Sequence, residues 1–286
     1  MATLFHYCSA ETFKSIVETS TIRLSSLLQS NDTTEGRLAT AAMLRLATSD
    51  SLDEIAARRI QQDLELLITM YDGLGFCMSE EGDLLSQWRG YGDDGRGFSI
   101  GFDTEYLQKL CNFTGIDKRG QSYLAQVEYT AKRHDSLMRP FYERARERLR
   151  GTDWRPLIPG TMTHAVNFEN PDHQKRSFES NFEIGTALAA SLNWLFLLKS
   201  KAFSEEREWR LLSHTSSSSI GGHGIRATRD QLVLFRELEL KSLGVEPVVK
   251  VYLGPKNRTP PSLVKKFLQF RALSGVQVEP SAATYR

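Results

Sequence analysis

The most apolar stretch of the chain lies just past its middle, over residues 184–198. Its aliphatic and aromatic residues predict a buried helix that ends near Lys199. At about 15 residues, with Asn193 inside it, the stretch is too short and too polar to span a bilayer of about 30 Å. We therefore expect a core helix and no membrane partner.

A charged segment, residues 201–212, follows this helix at once. Strand periodicity would place Glu206, Glu208 and Arg210 on one face. A helix buried next to them would hold these charges at a fixed place in the fold. A solvated strand whose charges pair with one another is the alternative.

The first third of the chain alternates extended and helical patterns. The predicted strands cover residues 3–8, 22–25, 74–79 and 97–102. The predicted helices cover residues 10–18, 37–47 and 51–71, with a helical turn over 83–91. Ser9 is the expected N-cap of the first helix.

A glycine-rich loop, residues 92–97, lies between the helical turn and the strand that follows. It lacks the spacing of a GxGxxG fingerprint or a P-loop, so it gives little support to a phosphate site. Trp88 and Tyr91, just before it, offer flat faces to a base or a nicotinamide ring. Trp88 would serve equally as a core anchor and the loop as a hairpin.

The remainder of the chain reads as a mixture of helices and strands. An arginine-rich helix over 135–150 is expected to be a solvated, salt-bridged surface, and 151–175 a linker. The other expected elements are a helix over 106–111, strands over 123–129, 232–240, 248–253 and 276–278, a loop over 213–224 and a helix over 261–273. This order predicts an α+β fold with a mixed or mostly antiparallel sheet and surrounding helices. We expect a single domain, 1–286, with a mainly helical insertion around 132–200.

Composition narrows the function only slightly. The net charge is +1, from 36 basic and 35 acidic side chains, so no overall field points to nucleic acid or lipid. Cys8, Cys77 and Cys111 lack paired metal-ligand spacing and are expected to be free thiols in a reducing compartment. The N-terminus has no signal-peptide pattern, so a cytoplasmic location is expected.

Several short motifs together resemble a bacterial family known only as domain of unknown function 2971. The matching segments are residues 4–8, 24–25, 31–35, 76–79, 87–91, 97–102, 206–210 and 251–255, with Ser281, Tyr285 and Arg286. They are spread over nearly the whole chain. Thr33 departs from the pattern, since a proline is usual there, and this affects a turn rather than the chemistry.

The order of a short His-Tyr strand, a helix and a second strand is also similar to that of mono-ADP-ribosyltransferases, toxin families included. This resemblance implies NAD as substrate, Glu208 with Glu206 as catalytic carboxylates, and a toxin or antiphage role. His6 would hold the adenosine ribose, Ser79 would line the nicotinamide pocket, and Tyr91 or Trp88 would stack. The full set of expected cofactor-binding residues is His6, Tyr7, Ser79, Trp88, Arg89, Tyr91 and Arg210. The acceptor, a protein or a nucleic acid, stays unknown.

Two other functions fit the same residues. A metal-dependent nuclease or hydrolase would gather Asp93, Asp94, Glu206 and Glu208 around a divalent ion. A non-catalytic module of a defence system would use Trp88, Arg89, Tyr91 and Arg96 to clamp a nucleotide or a partner. The first would lose activity with a chelator, and the second would bind without turnover.

Overall fold

The computed structural model describes residues 2–30, 36–116, 122–156, 171–216, 221–228, 230–244 and 247–285. Within these residues the chain forms one sheet of ten strands with helices against both faces. The strands are β1 Thr3–Cys8, β2 Thr21–Ser26, β3 Tyr71–Ser79, β4 Phe98–Asp103, β5 Ser122–Gln126, β6 Glu208–Ser216, β7 Gly224–Ala227, β8 Leu232–Glu239, β9 Val248–Leu253 and β10 Gln277–Pro280. The predicted α+β class is confirmed.

The helices are α1 Ala10–Thr19, α2 Arg37–Ser49, α3 Glu54–Met70, α4 Leu85–Gly90, α5 Thr104–Ile116, α6 Ala131–Leu149, α7 Pro171–Ala189, α8 Leu192–Leu195 and α9 Pro261–Phe270. Side chains cap the starts of several helices; at α5, for example, Asp103 accepts a hydrogen bond from the Tyr106 amide. Ser9 accepts a hydrogen bond from the Thr12 amide at the start of α1, as predicted. Asp53 accepts from the Ile55 and Ala56 amides in the first turn of α3.

The sheet is mostly antiparallel, with β9 and β10 forming a parallel pair. Its main path runs in the order β10-β9-β4-β1-β3-β2-β8-β7, and β6 pairs with β3 and β5 beside that path. Strand β6 pairs with β3 from Ser79 opposite Glu208 to Tyr71 opposite Ser216. The predicted mixed or mostly antiparallel sheet is confirmed.

Strand β3 is the point at which the sheet branches. At one end Ser79 pairs with Phe5 of β1, and further along Gly75 pairs with Ser25 of β2. One branch continues through β1 to β4, β9 and β10, and the other through β2 to β8 and β7. The stretch of β3 between these two pairings is where the candidate site lies.

Each face of the sheet has its own hydrophobic core. One core packs α1, α5 and α9 against residues such as Leu211 of β6. The other packs α2, α3, α6, α7 and α8 against residues such as Leu212. Neighbouring strand residues therefore serve opposite cores, as the alternation of side chains in a strand requires. The expected insertion around 132–200 contributes α6 to α8 to the second core, and its separate status stays a prediction.

The segment predicted as a strand over 201–212 begins differently. Residues Lys201–Glu206 form a 3₁₀-helix that is capped by Ser200, and β6 starts only at Glu208. Arg207 joins them in the left-handed region, with φ of 43°. The prediction was wrong here because a local cap and a left-handed turn replace the strand geometry that the alternating pattern suggested.

The apolar stretch 184–198 is not one helix. Helix α7 ends at Ala189 and the short α8 follows, because Ser191 bonds back to Leu188 through its own hydroxyl. The expected linker ends earlier than 175, since α7 begins at Pro171. The expected loop over 213–224 is also shorter, since β6 continues to Ser216. The motif at 31–35 lies outside the described residues.

The described helices include none that is both long enough and apolar enough to cross a membrane.

Gly73 of β3 shows how tightly the second core packs against the sheet. A Cβ atom at this position would lie 2.5 Å from Cγ of the fully buried Phe196. We expect Gly73→Ala to lower the free energy of unfolding by roughly 1–3 kcal/mol through overpacking. Urea unfolding followed by circular dichroism measures this change.

Gly185 provides the matched control. It lies inside α7, and a Cβ atom there would have nothing within 4 Å. Gly185→Ala should raise stability by up to about 1 kcal/mol, because alanine is the better helix former. Equal unfolding midpoints for Gly73→Ala and the wild type would contradict the packing described here.

Candidate functional site

A small pocket opens beside the branch point of the sheet, with a volume of about 110 Å³. Residues of β1, β3, β6 and α4 line it, together with the loop after β2. Six of the nine predicted site residues take part, namely His6, Tyr7, Tyr91, Glu206, Glu208 and Arg210. The sequence separates these residues widely, and the fold brings them to one place.

Four charged side chains form one wall of the pocket: Lys199, Glu206, Glu208 and Arg210, here called the charged cluster. Lys199 Nζ donates to Glu206 Oε2 at 2.6 Å and to Glu208 Oε2 at 2.9 Å. Arg210 donates from Nε to Glu208 Oε1 at 2.7 Å and from Nη2 to Oε2 at 3.2 Å. The side chains of Lys199, Glu208 and Arg210 are at most 6% exposed. Two cations and two anions thus neutralise one another almost out of reach of water.

The charged cluster keeps its members ionised. Burial by itself would raise the pKa of the Glu208 carboxyl, but the charges of Arg210 and Lys199 outweigh burial and lower it to about 2. Burial would lower the pKa of Lys199, yet the two carboxylates raise it above its ordinary value. Glu208 is therefore a fixed anion at every physiological pH, and it has no role as a general acid.

The backbone around the cluster is held by hydrogen bonds from side chains. Ser79 Oγ donates to the Glu206 carbonyl at 2.7 Å, and the Glu208 amide donates to the Tyr129 hydroxyl at 2.8 Å. These two bonds fix the backbone on both sides of Arg207, whose own backbone is in the left-handed region. Ser79 thus positions the acidic residues and is not among the residues that line the pocket.

His6 of β1 lies where the two branches of the sheet separate, and its side chain reaches back to β3. Its Nδ1 lies 2.8 Å from the carbonyl oxygen of Cys77 on β3. A carbonyl only accepts, so Nδ1 carries the proton. Burial lowers the pKa of the imidazole to about 4, against the effect of that hydrogen bond, and the ring is neutral at pH 7. Its Nε2 atom is then an acceptor, with no hydrogen-bond partner among the residues that the structure describes.

Two tyrosines add aromatic surface to the pocket. The Tyr91 hydroxyl donates to Glu206 Oε1 at 3.2 Å, and Tyr91 stays 43% exposed. The Tyr7 hydroxyl donates to the Glu81 carbonyl at 2.7 Å and accepts from the Leu84 amide. Burial raises the pKa of both hydroxyls, so both remain protonated donors. Tyr91 lies at the mouth and Tyr7 deeper in the fold.

Besides Ser79, two further predicted cofactor-binding residues lie outside the pocket. Trp88 is completely buried, and its Nε1 donates to Asp83 at 2.7 Å, so it anchors α4 instead of stacking on a ligand. Arg89 packs over the ring of Tyr285, 4.7 Å from the ring centre. Both act on the placement of α4, and the core role that the sequence left open for Trp88 is the one observed.

The pocket-lining residues that were not predicted as site residues include Lys199, Gln87 and Cys77. Lys199 was predicted only as the residue near which a helix ends, because its local sequence is the same as that of a solvated helix end. Gln87 was visible only as part of a family motif. Cys77, a half-buried free thiol, lies opposite Arg210, and burial raises the pKa of its thiol well above the ordinary value.

The acids proposed for a metal site are not gathered at this pocket. Asp93 and Asp94 lie outside its lining, and Asp94 is bonded to Lys256 and to the Tyr285 hydroxyl. In the part of the chain that the structure describes, no group of three or more metal-ligating side chains occurs. The geometry gives this alternative no support.

The comparison with family models gives one result. Residues 87–211 match the family described as "Protein of unknown function (DUF2971)". This match agrees with the resemblance predicted from the sequence motifs over that segment, which is somewhat less than half of the chain. The DUF2971 match includes Gln87, Tyr91 and the whole charged cluster, whereas His6 and Tyr7 precede it. Searches of curated proteins and of solved structures found no match.

Lys199, which lies in the segment that matches DUF2971, should contribute to the stability of the fold. Lys199→Met would leave Glu206 and Glu208 without their shared cation, and removing one partner of a buried pair costs about 3–5 kcal/mol. Urea unfolding measures the loss. Lys201→Met, at an exposed position two residues away, should change stability by less than about 0.5 kcal/mol. A similar loss for both variants would show that the charged cluster contributes nothing specific.

His6 should make the protein sensitive to mild acid. Its pKa falls from 6.5 in the unfolded chain to about 4 in the fold, so between these values the unfolded state binds more protons. Stability contributed by the neutral ring is complete above pH 6.5 and is lost as the pH falls towards 4, by roughly 2–3 kcal/mol. We expect His6→Asn to lose clearly less stability over this window. His214, whose pKa burial also lowers to about 4, remains in the variant and leaves part of the slope.

The measurement is the free energy of unfolding from urea titrations at several pH values between 4 and 7. The loss of the imidazole itself shifts the whole curve by a constant amount, so only the slope counts. Parallel curves for wild type and His6→Asn would contradict a neutral, buried His6.

Proposed function

We propose that the protein is an NAD-utilising enzyme similar to mono-ADP-ribosyltransferases, with the nicotinamide end of NAD in the pocket. The observation that carries this proposal is the convergence of His6, Glu206 and Glu208 on one pocket beside Tyr7 and Tyr91. A first-strand histidine, paired glutamates and a stacking aromatic residue are the groups that the resemblance implied, although it assigned His6 to the adenosine ribose and this proposal places His6 at the nicotinamide end. Their assembly from strands β1 and β6, the end of the 3₁₀-helix and the residue that follows α4 supports the proposal beyond what the sequence motifs could.

The pocket is smaller than the ligand. Its volume of about 110 Å³ is below the roughly 300–1,000 Å³ of pockets that enclose a whole drug-sized ligand. It is also below the roughly 150 Å³ of a cavity that accepts benzene. The nicotinamide ring would therefore insert only in part, with its carboxamide end first, and the rest of the dinucleotide would extend from the mouth past Tyr91.

The carboxylates would act on charge that develops during bond cleavage. When the bond between the nicotinamide nitrogen and the ribose breaks, its electron pair leaves with nicotinamide and positive charge grows on the ribose. An acceptor nucleophile, or water, then forms the new bond to that carbon and releases a proton. Glu206 and Glu208, ordered before the reaction, would stabilise the cation without reorganisation.

Within the pair, the two acids would have different tasks. Glu208 is held through both oxygens by Arg210 and Lys199, which fixes its position and compensates most of its charge. Glu206 lies nearer to the mouth, with 13% of its side chain exposed and Tyr91 as a partner. We therefore assign the closer contact with the ribose to Glu206, with Glu208 supporting it through Lys199.

The same neutralised cluster favours a second candidate function. Because the described contacts already pair each charge of the cluster, the pocket would also suit a non-catalytic module that binds a nucleotide or a partner. Such a module would bind NAD without releasing nicotinamide. A toxin or antiphage effector role, with a protein or nucleic acid acceptor, belongs to the catalytic proposal.

The test is incubation of the purified protein with NAD, with nicotinamide release followed by chromatography and NAD binding by calorimetry. We expect Glu206→Gln to lower the rate of release on the order of a hundredfold or more, since it removes a preorganised charge from the transition state. Glu205→Gln is the matched control, because Glu205 is exposed and lies outside the pocket lining. Its rate should equal that of the wild type.

Glu208→Gln is a less direct probe, because it leaves the buried Lys199 and Arg210 short of an anion and lowers stability. The rate of nicotinamide release by this variant is interpretable only if unfolding curves show that the variant is folded. Binding of NAD without release by the wild type would favour the non-catalytic module. Neither binding nor release would overturn both NAD proposals, and loss of release with a chelator would revive the metal-dependent alternative.

A further inference from the structure

Gln87 lines the pocket as a buried polar side chain with no hydrogen-bond partner in the described part of the chain. It is only 7% exposed, so more than nine-tenths of it is buried. Its carboxamide forms no hydrogen bond with any residue that the structure describes, although its backbone carbonyl accepts from Tyr91 and Gly92. The amide atoms are also not among the fully buried polar atoms that lack a hydrogen-bond partner, so they are accessible from the pocket that Gln87 lines.

Such a group calls for an explanation, because the large majority of buried side-chain polar atoms have hydrogen-bond partners. In the free protein, water in the pocket can pair with the amide atoms, and a ligand that displaces this water must supply the same hydrogen bonds. A glutamine in the wall of a pocket, with no bond to the described part of the chain, is therefore a group that a ligand would satisfy. The adjacent Trp88 differs from Gln87, because its polar Nε1 atom already donates to Asp83 and its ring anchors α4.

Helix α4 also holds Gln87 at a fixed place. Asp83 accepts from Trp88 Nε1 at 2.7 Å and from the Ala282 amide at 2.7 Å, and the Leu84 amide donates to the Tyr7 hydroxyl. These bonds tie both the entry to the helix and its buried face to the rest of the fold. A recognition group on such a support loses little freedom when a ligand binds.

We infer that Gln87 is the specificity-determining residue of the pocket and that it recognises a carboxamide on a planar ring. The inference rests on the proposed function for the identity of that ring as the nicotinamide of NAD. A carboxamide offers one N–H donor and one carbonyl acceptor side by side, and so does Gln87. Two carboxamides facing each other form a reciprocal pair of hydrogen bonds, which no other side chain without charge in this pocket can make.

The neutral His6 ring supplies a second, weaker selection. Its Nε2 acceptor favours a ligand with a further donor, such as the second amide proton or a ribose hydroxyl. A ring that carries a carboxylate would place its oxygens against the Gln87 carbonyl and the Nε2 lone pair. The pocket should therefore discriminate against an acid in favour of its amide.

The experiment compares the binding of two small rings to the full chain by ligand-observed NMR and calorimetry. Nicotinamide carries the carboxamide, and 3-acetylpyridine has a methyl group in place of the amide nitrogen. We expect the wild type to prefer nicotinamide by about 10-fold or more, because 3-acetylpyridine leaves the Gln87 carbonyl unpaired. Gln87→Met keeps the length of the side chain and removes its amide, so it should abolish the preference.

Gln108→Met is the matched control, since Gln108 is exposed on α5, and it should keep the wild-type preference. Unfolding curves establish that each variant is folded. A wild type without preference, or a Gln87→Met variant that retains it, would overturn the role of Gln87.

Release of nicotinamide from NAD, measured on the same proteins, separates this inference from the proposed function. Release together with a preference that does not depend on Gln87 leaves the proposed function standing and overturns the inference. A preference that depends on Gln87 without NAD binding or release supports a carboxamide site and overturns the NAD proposal. If neither ring nor NAD binds, both are wrong.

Discussion

The contact on which the site depends is the bonding of Glu208 by Lys199 and Arg210. A carboxylate that is 95% buried would be unstable alone, since isolated charges in a protein interior are strongly disfavoured. Its two cations come from different local structures, one just after α8 and one from β6 itself. The short segment between them must therefore fold back tightly, and the 3₁₀-helix with the left-handed Arg207 accomplishes this. The pairing of Glu208 with its two cations therefore requires this backbone turn, and the turn is in place only when those charges are paired.

The branching of the sheet gives this cluster an opening. A continuous pairing of β1 along β3 would bury the Cys77 carbonyl in an ordinary strand ladder. Because β1 and β2 share the same edge of β3, a side chain makes the hydrogen bond that a neighbouring strand would otherwise make, and that side chain is His6. The imidazole is thus both a replacement for strand pairing and a member of the pocket. Its neutral state follows from this buried position.

Much of the fold could be predicted from the sequence because its strands and helices carry strong local patterns. The valine-rich β9, the serine cap of α1 and the amphipathic α3 all form close to where the pattern predicts. The alternation that grouped Glu208 with Arg210 was also correct, since both belong to β6. Glu206 reaches the same pocket by a different geometry, through the end of a 3₁₀-helix. The pattern therefore grouped the right residues for a partly wrong structural reason.

The rest could not be predicted, because it depends on contacts between distant parts of the chain. Lys199 has no local signal that distinguishes it from a solvated helix end. Its importance follows from its contacts with Glu206 and Glu208, which the turn after it brings back beside its side chain. Trp88 and Gln87 are adjacent, and only the packing of α4 decides which one is core and which one faces the pocket. The pairing of Phe5 with Ser79, which brings His6 to the site, spans more than seventy residues.

The attachment of α4 to residues 281–285 has a consequence for the timing of assembly. Asp83 is held by Ser281 and Ala282, and Arg89 is covered by Tyr285, so α4, which carries Gln87 and is followed by Tyr91, receives supports from residues far along the chain. Those residues follow β10, so every strand of the sheet is synthesised before them. The strands and the charged cluster can therefore form before α4 is held in place, and the pocket is complete only once residues 281–285 have docked on that helix.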